Sequence, residues 1–341
     1  MDIMRVIAGS RRGNAGAVLS LLCLASAAPA QVTLRVTFND PENTLAPLSA
    51  SIASNLHGAA ALWSERLKGN TELWIEVLPD SSVSNLSCRS FTWSYLDTID
   101  GGIDIFETGA STHIRNGYPA ASFDPDIVLK INPTFAVNDL WFDPAPFSRT
   151  APIDSARFDA VSQFARGLGR AFAFDGWING NDGTYSGNAR STFDQLIVFD
   201  GTNFSFIGDN AVAAYRAPVP VTFGAPFLVG NEPPRPGTDL LNDVMSGRPL
   251  ARGIRYQVSA LDFAILQDAR VPVIIPCPWD LTHDGFIDDH DFAVFTQAYD
   301  LYDCGESSMP SACPSDFNKD SVVDDFDYVI FIQGYEQFIC L

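Results

Sequence analysis

The C-terminal part of the chain contains a duplicated twelve-residue loop, and this duplication constrains the fold more than any other feature. The first copy, DLTHDGFIDDHD, covers residues 280–291, and the second, DFNKDSVVDDFD, covers residues 316–327, which is 36 residues later. The flanking cysteines repeat at a separation of 27 residues in both copies, as Cys277 and Cys304 and then as Cys313 and Cys340. Such an internal repeat predicts the same local structure twice.

Oxygen-bearing side chains occupy positions 1, 3, 5, 9 and 12 of each loop. They are Asp280, Thr282, Asp284, Asp288 and Asp291 in the first copy and Asp316, Asn318, Asp320, Asp324 and Asp327 in the second. This is the EF-hand ligand pattern, in which position 7 contributes a backbone carbonyl, here that of Phe286 or Val322. The sequence therefore predicts two Ca²⁺ sites. The bound Ca²⁺ is expected to be structural, because so small a module needs metal or disulfides to be stable.

The two loops depart from an EF-hand at three points. Position 12 is Asp rather than Glu, prolines stand where an incoming helix would be, and Ser321 occupies position 6, which is normally Gly. A loop with only an outgoing helix, present twice, resembles a type I dockerin. The resemblance implies a small all-α module that attaches to a cohesin-like or cell-surface partner through positions 10 and 11. Here these are Asp289-His290 and Asp325-Phe326, which do not match each other.

The outgoing helices carry aromatic residues, for which packing between the two helices is expected. They are Phe292, Phe295 and Tyr299 in the first copy and Tyr328, Phe331 and Tyr335 in the second.

Acidic residues are concentrated in this tail. From Cys277 onward there are fourteen acidic residues and one basic residue, Lys319, so −13 of the formal net charge of −20 lies there. A basic face is absent, so no nucleic-acid partner is expected. The four tail cysteines are expected to pair among themselves in an order that the sequence leaves open. Cys88 is left over and is expected to be a buried free thiol.

Residues 1–30 have the pattern of a secretory signal peptide. Arginines precede the apolar run AVLSLLCLASA, which ends at the small residues Ala28, Pro29 and Ala30. The run is too short for a permanent membrane helix, and no later run approaches that length. We therefore expect an exported protein that is secreted or extracellular, with the cell surface as one such location. It is expected to have no membrane span, and its export allows disulfides to form.

The segment between leader and tail predicts an α+β domain, because strands and helices are mixed without regular βαβ repetition. Strands are predicted at residues 32–38, 72–77, 127–132, 193–199 and 204–207. Helices are predicted at residues 48–67 and 157–174, and the second of these is expected to start near residue 154 or 155. A third helix is predicted to begin with a capping box at residues 259–262 and to end at about residue 268. Residues 80–124 are left without assignment, and residues 272–276 are expected to be a short stiff linker.

The helix at 157–174 contains the string ARGLGRAFAF. The zinc helix of secreted metalloproteases commonly reads A-H-E-x-G-H-x-x-G-F, and the string is similar to it at Ala165, Gly169 and Phe174. A strand, a Trp-bearing helix, two further strands, the zinc helix and a late methionine turn, here at residues 243–246, are the usual order in zincin- and metzincin-like proteases. The resemblance implies a zincin-like domain at residues 31–271.

Every residue that would hold or use zinc in such a helix is replaced. Arg166 and Arg170 stand at the histidine positions, Gly167 stands at the glutamate position, and Leu228 falls where a third histidine is expected. Zinc requires lone-pair donors, whereas a guanidinium has none and stays charged. No zinc, no catalytic residue and no zinc-dependent hydrolysis are expected. His57, predicted on the first helix, and His113, predicted in a loop, form no pair at ligand spacing.

No nucleophile elbow, P-loop or dinucleotide fingerprint is present in the sequence. The favoured interpretation is an exported, non-catalytic metalloprotease-like domain followed by a dockerin-like calcium module at residues 277–341. Two alternatives stay open: an extracellular hydrolase linked to polysaccharide catabolism through the dockerin, and a peptidase with an unrecognised site. If the old cleft persists, Arg166 and Arg170 are expected either to bind an anionic group there or to form ion pairs with a neighbouring Asp or Glu.

Overall fold

A computed structural model describes residues 32–222, 243–274, 277–282, 286–310 and 313–335. The predicted signal peptide, the position of Leu228 and residues 283–285 of the first loop lie outside these ranges. The described residues form helices and several sheets, so the predicted α+β class is confirmed.

The strands in chain order are β1 Val32–Phe38, β2 Thr71–Pro79, β3 Leu86–Ser90, β4 Trp93–Ile99, β5 Ile103–Thr108, β6 Ile127–Ile131, β7 Leu140–Trp141, β8 Phe158–Asp159, β9 Ala189–Ser191, β10 Ile197–Phe199, β11 Phe204–Phe206 and β12 Val219–Val221. The α-helices are α1 Ser49–Ser64, α2 Gly109–Asn116, α3 Pro133–Asn138, α4 Ala160–Phe172, α5 Asp209–Tyr215, α6 Ala260–Asp268, α7 Asp289–Leu301 and α8 Asp325–Tyr335.

The largest sheet has the strand order β1-β2-β6-β3. Strands β1, β2 and β6 are parallel, and β3 joins antiparallel at the edge. Because parallel neighbours need a crossover, helix α1 connects β1 to β2. Alternate residues of β2, namely Leu73, Ile75 and Val77, are fully buried. The three strands predicted for this sheet and the helix predicted at 48–67 are confirmed, with α1 slightly shorter than expected.

Helix α4 packs against α1 and β3, but it starts later than predicted. Asp159 is its N-cap and accepts a hydrogen bond from the Ser162 backbone N–H at 3.1 Å. The preceding residues, Phe158 and Asp159, instead pair in parallel with Leu140 and Trp141. The predicted start near residue 154 or 155 is therefore wrong, because a pairing with a distant strand outweighs the local helical periodicity of Phe158.

Three further predictions concern single elements. The unassigned section 80–124 contains β3, β4, β5 and α2, and His113 lies on α2 rather than in a loop. The hairpin around the Asp200-Gly201 turn is confirmed, but its first strand is shorter than predicted, since Asp194–Leu196 is a 3₁₀ turn. The capping box is confirmed: the Ser259 side chain accepts from the Asp262 N–H, and the Asp262 side chain accepts from the Ser259 N–H.

Buried hydrophobic residues of the described chain form two clusters. The large cluster lies in the front part and includes Trp63, Phe164 and Met245. The small cluster lies in the tail around Phe295 and Phe331. The start of the predicted linker is tied to the front part, where Lys68 N–H donates to the Pro272 carbonyl at 2.9 Å. Within the described residues, none of the helices has the length and apolarity needed to cross a membrane.

Candidate functional site

The second tail loop brings three of its predicted ligand carboxylates together. One oxygen each of Asp316, Asp320 and Asp327 lies within 4.8 Å of the others. Asp327 is fully buried and Asp316 nearly so, whereas Asp320 is exposed. Like charges at such distances repel each other and favour a shared cation. The three side chains come from positions 1, 5 and 12, as a ring of oxygen ligands requires.

Backbone N–H groups of the loop hold these carboxylates in place. Asp327 Oδ1 accepts from the N–H groups of Phe317 at 2.7 Å and Asn318 at 3.0 Å, and its Oδ2 accepts from Asp324 N–H at 3.0 Å. Asp316 accepts from the N–H groups of the residues at positions 5 and 6. The loop is therefore wrapped around its own carboxylates, with the remaining lone pairs free to bind a cation.

Ser321 at position 6 has a backbone φ of +76°, in the left-handed region. A side chain is disfavoured there, which explains why this position is normally Gly. The turn geometry expected of the loop is nevertheless adopted.

The first loop repeats the same hydrogen bonds 36 residues earlier. Asp291 Oδ1 accepts from Thr282 N–H and its Oδ2 from Asp288 N–H, both at 2.9 Å. Asp288 in turn accepts from His290 N–H at 2.8 Å, a contact that lowers the pKa of the Asp288 carboxyl. The predicted ligand Asp284 lies outside the described residues. Where both copies are described, they therefore share these hydrogen bonds as well as the sequence pattern.

The outgoing helices pack through their aromatic faces, as expected. Phe295 of α7 lies on Phe331 of α8 with ring centroids 5.0 Å apart. The Tyr299 hydroxyl of α7 donates to Asp325 of α8 at 2.6 Å, and the Tyr335 hydroxyl of α8 donates to Asp289 of α7. The two bonds are equivalent, because each residue of the second repeat lies 36 positions after its counterpart in the first. The two repeats therefore pack as an approximately symmetric pair. Position 10 of each loop, which is the Asp in these contacts, is engaged inside the module.

A disulfide joins Cys304 of the first repeat to Cys313 of the second, with the Cα atoms 5.5 Å apart. Cys277 is also disulfide-bonded. The expectation that tail cysteines pair among themselves is confirmed for Cys304 and Cys313. Cys88 is free and buried, as expected, and burial raises the pKa of its thiol to about 12.

The glycines of helix α4 allow close packing on both sides. A Cβ added at Gly167 would lie 2.6 Å from the Cys88 Cβ of strand β3. A Cβ added at Gly169 would lie 2.7 Å from Met245 Sδ and 2.7 Å from a ring carbon of Trp63. These contacts explain why small residues stand at both positions, irrespective of any chemistry.

Arg166 is used to hold the turn that carries Met245. Its Nε donates to the Val244 carbonyl at 2.6 Å, and its Nη2 donates to the carbonyls of Ser246 at 2.7 Å and Arg248 at 3.0 Å. Burial lowers the pKa of the guanidinium to about 10. Within the residues that the structure describes, Arg166 forms no ion pair with an Asp or Glu, and its donors go to these carbonyls instead.

Two buried carboxyl groups lie behind the same turn. Asp243 Oδ1 accepts from Met245 N–H at 2.7 Å, and its Oδ2 accepts from the Ser259 hydroxyl at 2.6 Å. Burial raises the pKa of Asp243 to about 6 and that of Asp262 well above its usual value, and their mutual repulsion raises the latter further. The pair therefore retains a proton that an exposed pair would release.

Arg170 has a different environment from Arg166. Its Nε is fully buried and has no hydrogen-bond partner. The nearby Asp175 is paired instead with Arg89. Burial, followed by the charge of Arg89, lowers the pKa of Arg170 to about 10. Arg170 makes no ion pair with any residue of the described ranges, although the charge of Asp175 lies close enough to act on it.

Both front-domain histidines are engaged away from α4. The ring nitrogens of His57 lie 2.7 Å from the Ala53 carbonyl and 3.1 Å from the Leu34 carbonyl. His113 Nδ1 lies 2.9 Å from Asp126 Oδ1, and this buried pair lines a cleft of about 210 Å³ that also includes Glu72. The sequence analysis missed this pair, since no spacing pattern links a helix residue to the start of a strand 13 positions later.

No protein-family model matches the chain, and the comparison with curated proteins gives no match.

Proposed function

We propose that this chain is an exported, non-catalytic protein in which a zincin-like front domain is carried beside a calcium-stabilised, dockerin-type attachment module. The observation that carries the proposal is the convergence of Asp316, Asp320 and Asp327 within 4.8 Å, in a loop whose conformation is duplicated. Oxygen-only ligands favour Ca²⁺ over softer metals.

Calcium is assigned a structural role. The tail has a small core around Phe295 and Phe331, and its buried carboxylates repel each other without a cation. Binding of Ca²⁺ to the folded module alone then adds stability by mass action. Two ions per chain are expected, one in each loop, with Asp280, Thr282, Asp284, Asp288 and Asp291 supplying the first site.

The front domain is assigned no hydrolytic role. The elements β1, α1 with Trp63, β2, β6, α4 and the Met245 turn follow one another in the sequence implied by the zincin resemblance, with further strands and helices between β2 and α4. The residues at the zinc-binding positions do not fit zinc, because Arg166 has no lone pair and its N–H groups are committed to carbonyls. Gly167 is pressed against Cys88 and supplies no general base.

Attachment to a cohesin-like or cell-surface partner is proposed through the exposed positions 11 of the module. Phe326 is 71% exposed, and the His290 side chain is 80% exposed. Since an aromatic ring and an imidazole present different chemistry, the two halves of the module would meet such a partner differently, although their backbones match.

A hydrolase with an unrecognised site is the second candidate, supported by one observation. The His113–Asp126 pair faces a cleft, and a histidine oriented by a carboxylate is a common general base. Activity on casein or on polysaccharides that disappears in His113→Gln would favour this candidate over the first.

Metal analysis of the purified full chain tests the main proposal. Two Ca²⁺ per chain and no zinc after dialysis are expected. Asp327→Asn should lower the calcium content, whereas Asp300→Asn on the exposed face of α7 should leave it unchanged. Stoichiometric zinc that survives dialysis would contradict the proposal for the front domain, and absence of calcium would contradict it for the tail.

A further inference from the structure

The guanidinium of Arg170 is a partly buried cation that makes no ion pair with a described residue. It lies in the last turn of α4, beside Cys88 and Arg89 of the edge strand β3. Its Nε has no exposed surface and no hydrogen-bond partner. A buried donor without an acceptor destabilises the folded state, and more so when it is charged.

The nearest carboxylate is already committed elsewhere. Asp175 pairs through Oδ2 with Arg89 Nη1 and accepts the Gly176 N–H on Oδ1 at 3.0 Å. The side chain of Asp175 is only 7% exposed, whereas that of Arg89 is 42% exposed. Arg89 therefore still offers donors to the solvent side of the cluster, and Asp175 has little capacity to receive Arg170.

The charges of this cluster sum to plus one. Arg89 and Arg170 contribute two positive charges, Asp175 contributes one negative charge, and the Cys88 thiol is neutral because burial raises its pKa to about 12. One monovalent anion would neutralise the cluster, whereas a divalent oxyanion would reverse its sign. A carboxylate is planar and monovalent, and it matches the fork of a guanidinium with two parallel hydrogen bonds.

We propose that Arg170, together with the free donors of Arg89, forms a binding site for the carboxylate group of a small organic anion. Arg166 takes no part, since its donors are held by the carbonyls of the turn. The inference does not depend on calcium binding in the tail.

Acetate binding to the calcium-loaded full chain tests this site. Acetate is titrated against chloride at constant ionic strength, and the Nε–Hε resonances of ¹⁵N-labelled arginines are followed by NMR. Saturable shifts of the Arg170 and Arg89 resonances are expected, together with a rise in melting temperature. Sulfate is titrated in the same way and is expected to bind more weakly than acetate.

Variants separate this site from general charge effects. Arg170→Gln is expected to weaken acetate binding at least about tenfold, since a charge-assisted pair is lost. Arg170→Lys, which keeps the charge but loses the fork, should weaken binding less, and Lys68→Gln removes one exposed charge and should change nothing. If Arg170→Gln does not fold, acetate is titrated against Arg89→Gln instead, and the Nε–Hε resonance of Arg170 is followed in that variant.

Three results would overturn the inference: no saturable acetate binding, binding that is unchanged in Arg170→Gln and Arg89→Gln, or sulfate binding tighter than acetate. None of them would alter the calcium content, so failure of this site and failure of the proposed function are distinguishable.

Discussion

Replacing Phe331 with alanine is expected to destabilise the C-terminal module strongly while the front domain keeps its stability. The Phe331 ring is fully buried and lies 5.0 Å from the Phe295 ring and 6.1 Å from the Phe317 ring. Truncation of a buried Phe costs about 3–5 kcal/mol. A module of this size has a free energy of unfolding of about 3–10 kcal/mol on the usual per-residue scale. The substitution therefore removes a large share of the stability.

Phe326→Ala is the matched control, because Phe326 lies on the same helix and is 71% exposed. An exposed substitution of this kind changes stability by about 0.5 kcal/mol or less. Both variants delete the same ring, so they differ only in what surrounds it.

The change in stability is measured on the full chain by hydrogen exchange with mass spectrometry. Protection of the α7 and α8 amides should fall by about a hundredfold to a thousandfold in Phe331→Ala and hardly at all in Phe326→Ala. Protection of β2 should stay unchanged in both. Calcium at about 100 times its dissociation constant should return about 2.7 kcal/mol per site. Equal protection in the two variants, or loss of protection in β2, would refute the separate tail core.

The remaining predictions concern the metal sites, the helix glycine and the buried carboxyl pair. Asp327→Asn should lower calcium from two ions to one per chain by mass spectrometry, and Asp300→Asn should not. Gly169→Ala should lower the stability of the front domain by about 1–3 kcal/mol in a urea melt, since the new methyl has no room, whereas Gly187→Ala, in open space, should be neutral. Burial raises the pKa of Asp262, so the folded chain holds a proton that the unfolded chain releases, and the free energy of unfolding should fall as pH rises above the usual pKa of an Asp, about 4. Asp262→Asn should flatten that slope, and an unchanged slope would assign it to other groups.

Local sequence patterns predicted the elements whose partners are close in sequence or whose burial is periodic. Strands β1, β2 and β6 were found from short apolar patterns, and the Ser259 capping box was found from its two residues. The tail loops belong to this class, because the predicted ligands of each loop lie within twelve consecutive residues. The spacing of the acidic side chains was therefore enough to predict that Asp316, Asp320 and Asp327 lie close together.

Pairings between distant segments were not predictable in the same way. Helix α4 starts later than predicted because Phe158 pairs with Leu140. His113 reaches Asp126 because α2 packs against β2, to whose Trp74 N–H the Asp126 side chain is also bonded. Neither partner is marked by a periodicity, since the choice depends on which surfaces the rest of the chain brings together.

The sequence by itself determined that Arg166 and Arg170 cannot bind zinc, because a guanidinium has no lone pair in any fold. The different fates of these two arginines were decided only by tertiary structure. Arg166 meets three carbonyls of the turn that carries Met245, whereas Arg170 meets Arg89 and an already paired Asp175. Residues four apart on one helix look alike in sequence, but each is surrounded by neighbours from different parts of the chain, and those neighbours decide whether a cation is satisfied or left to bind an anion.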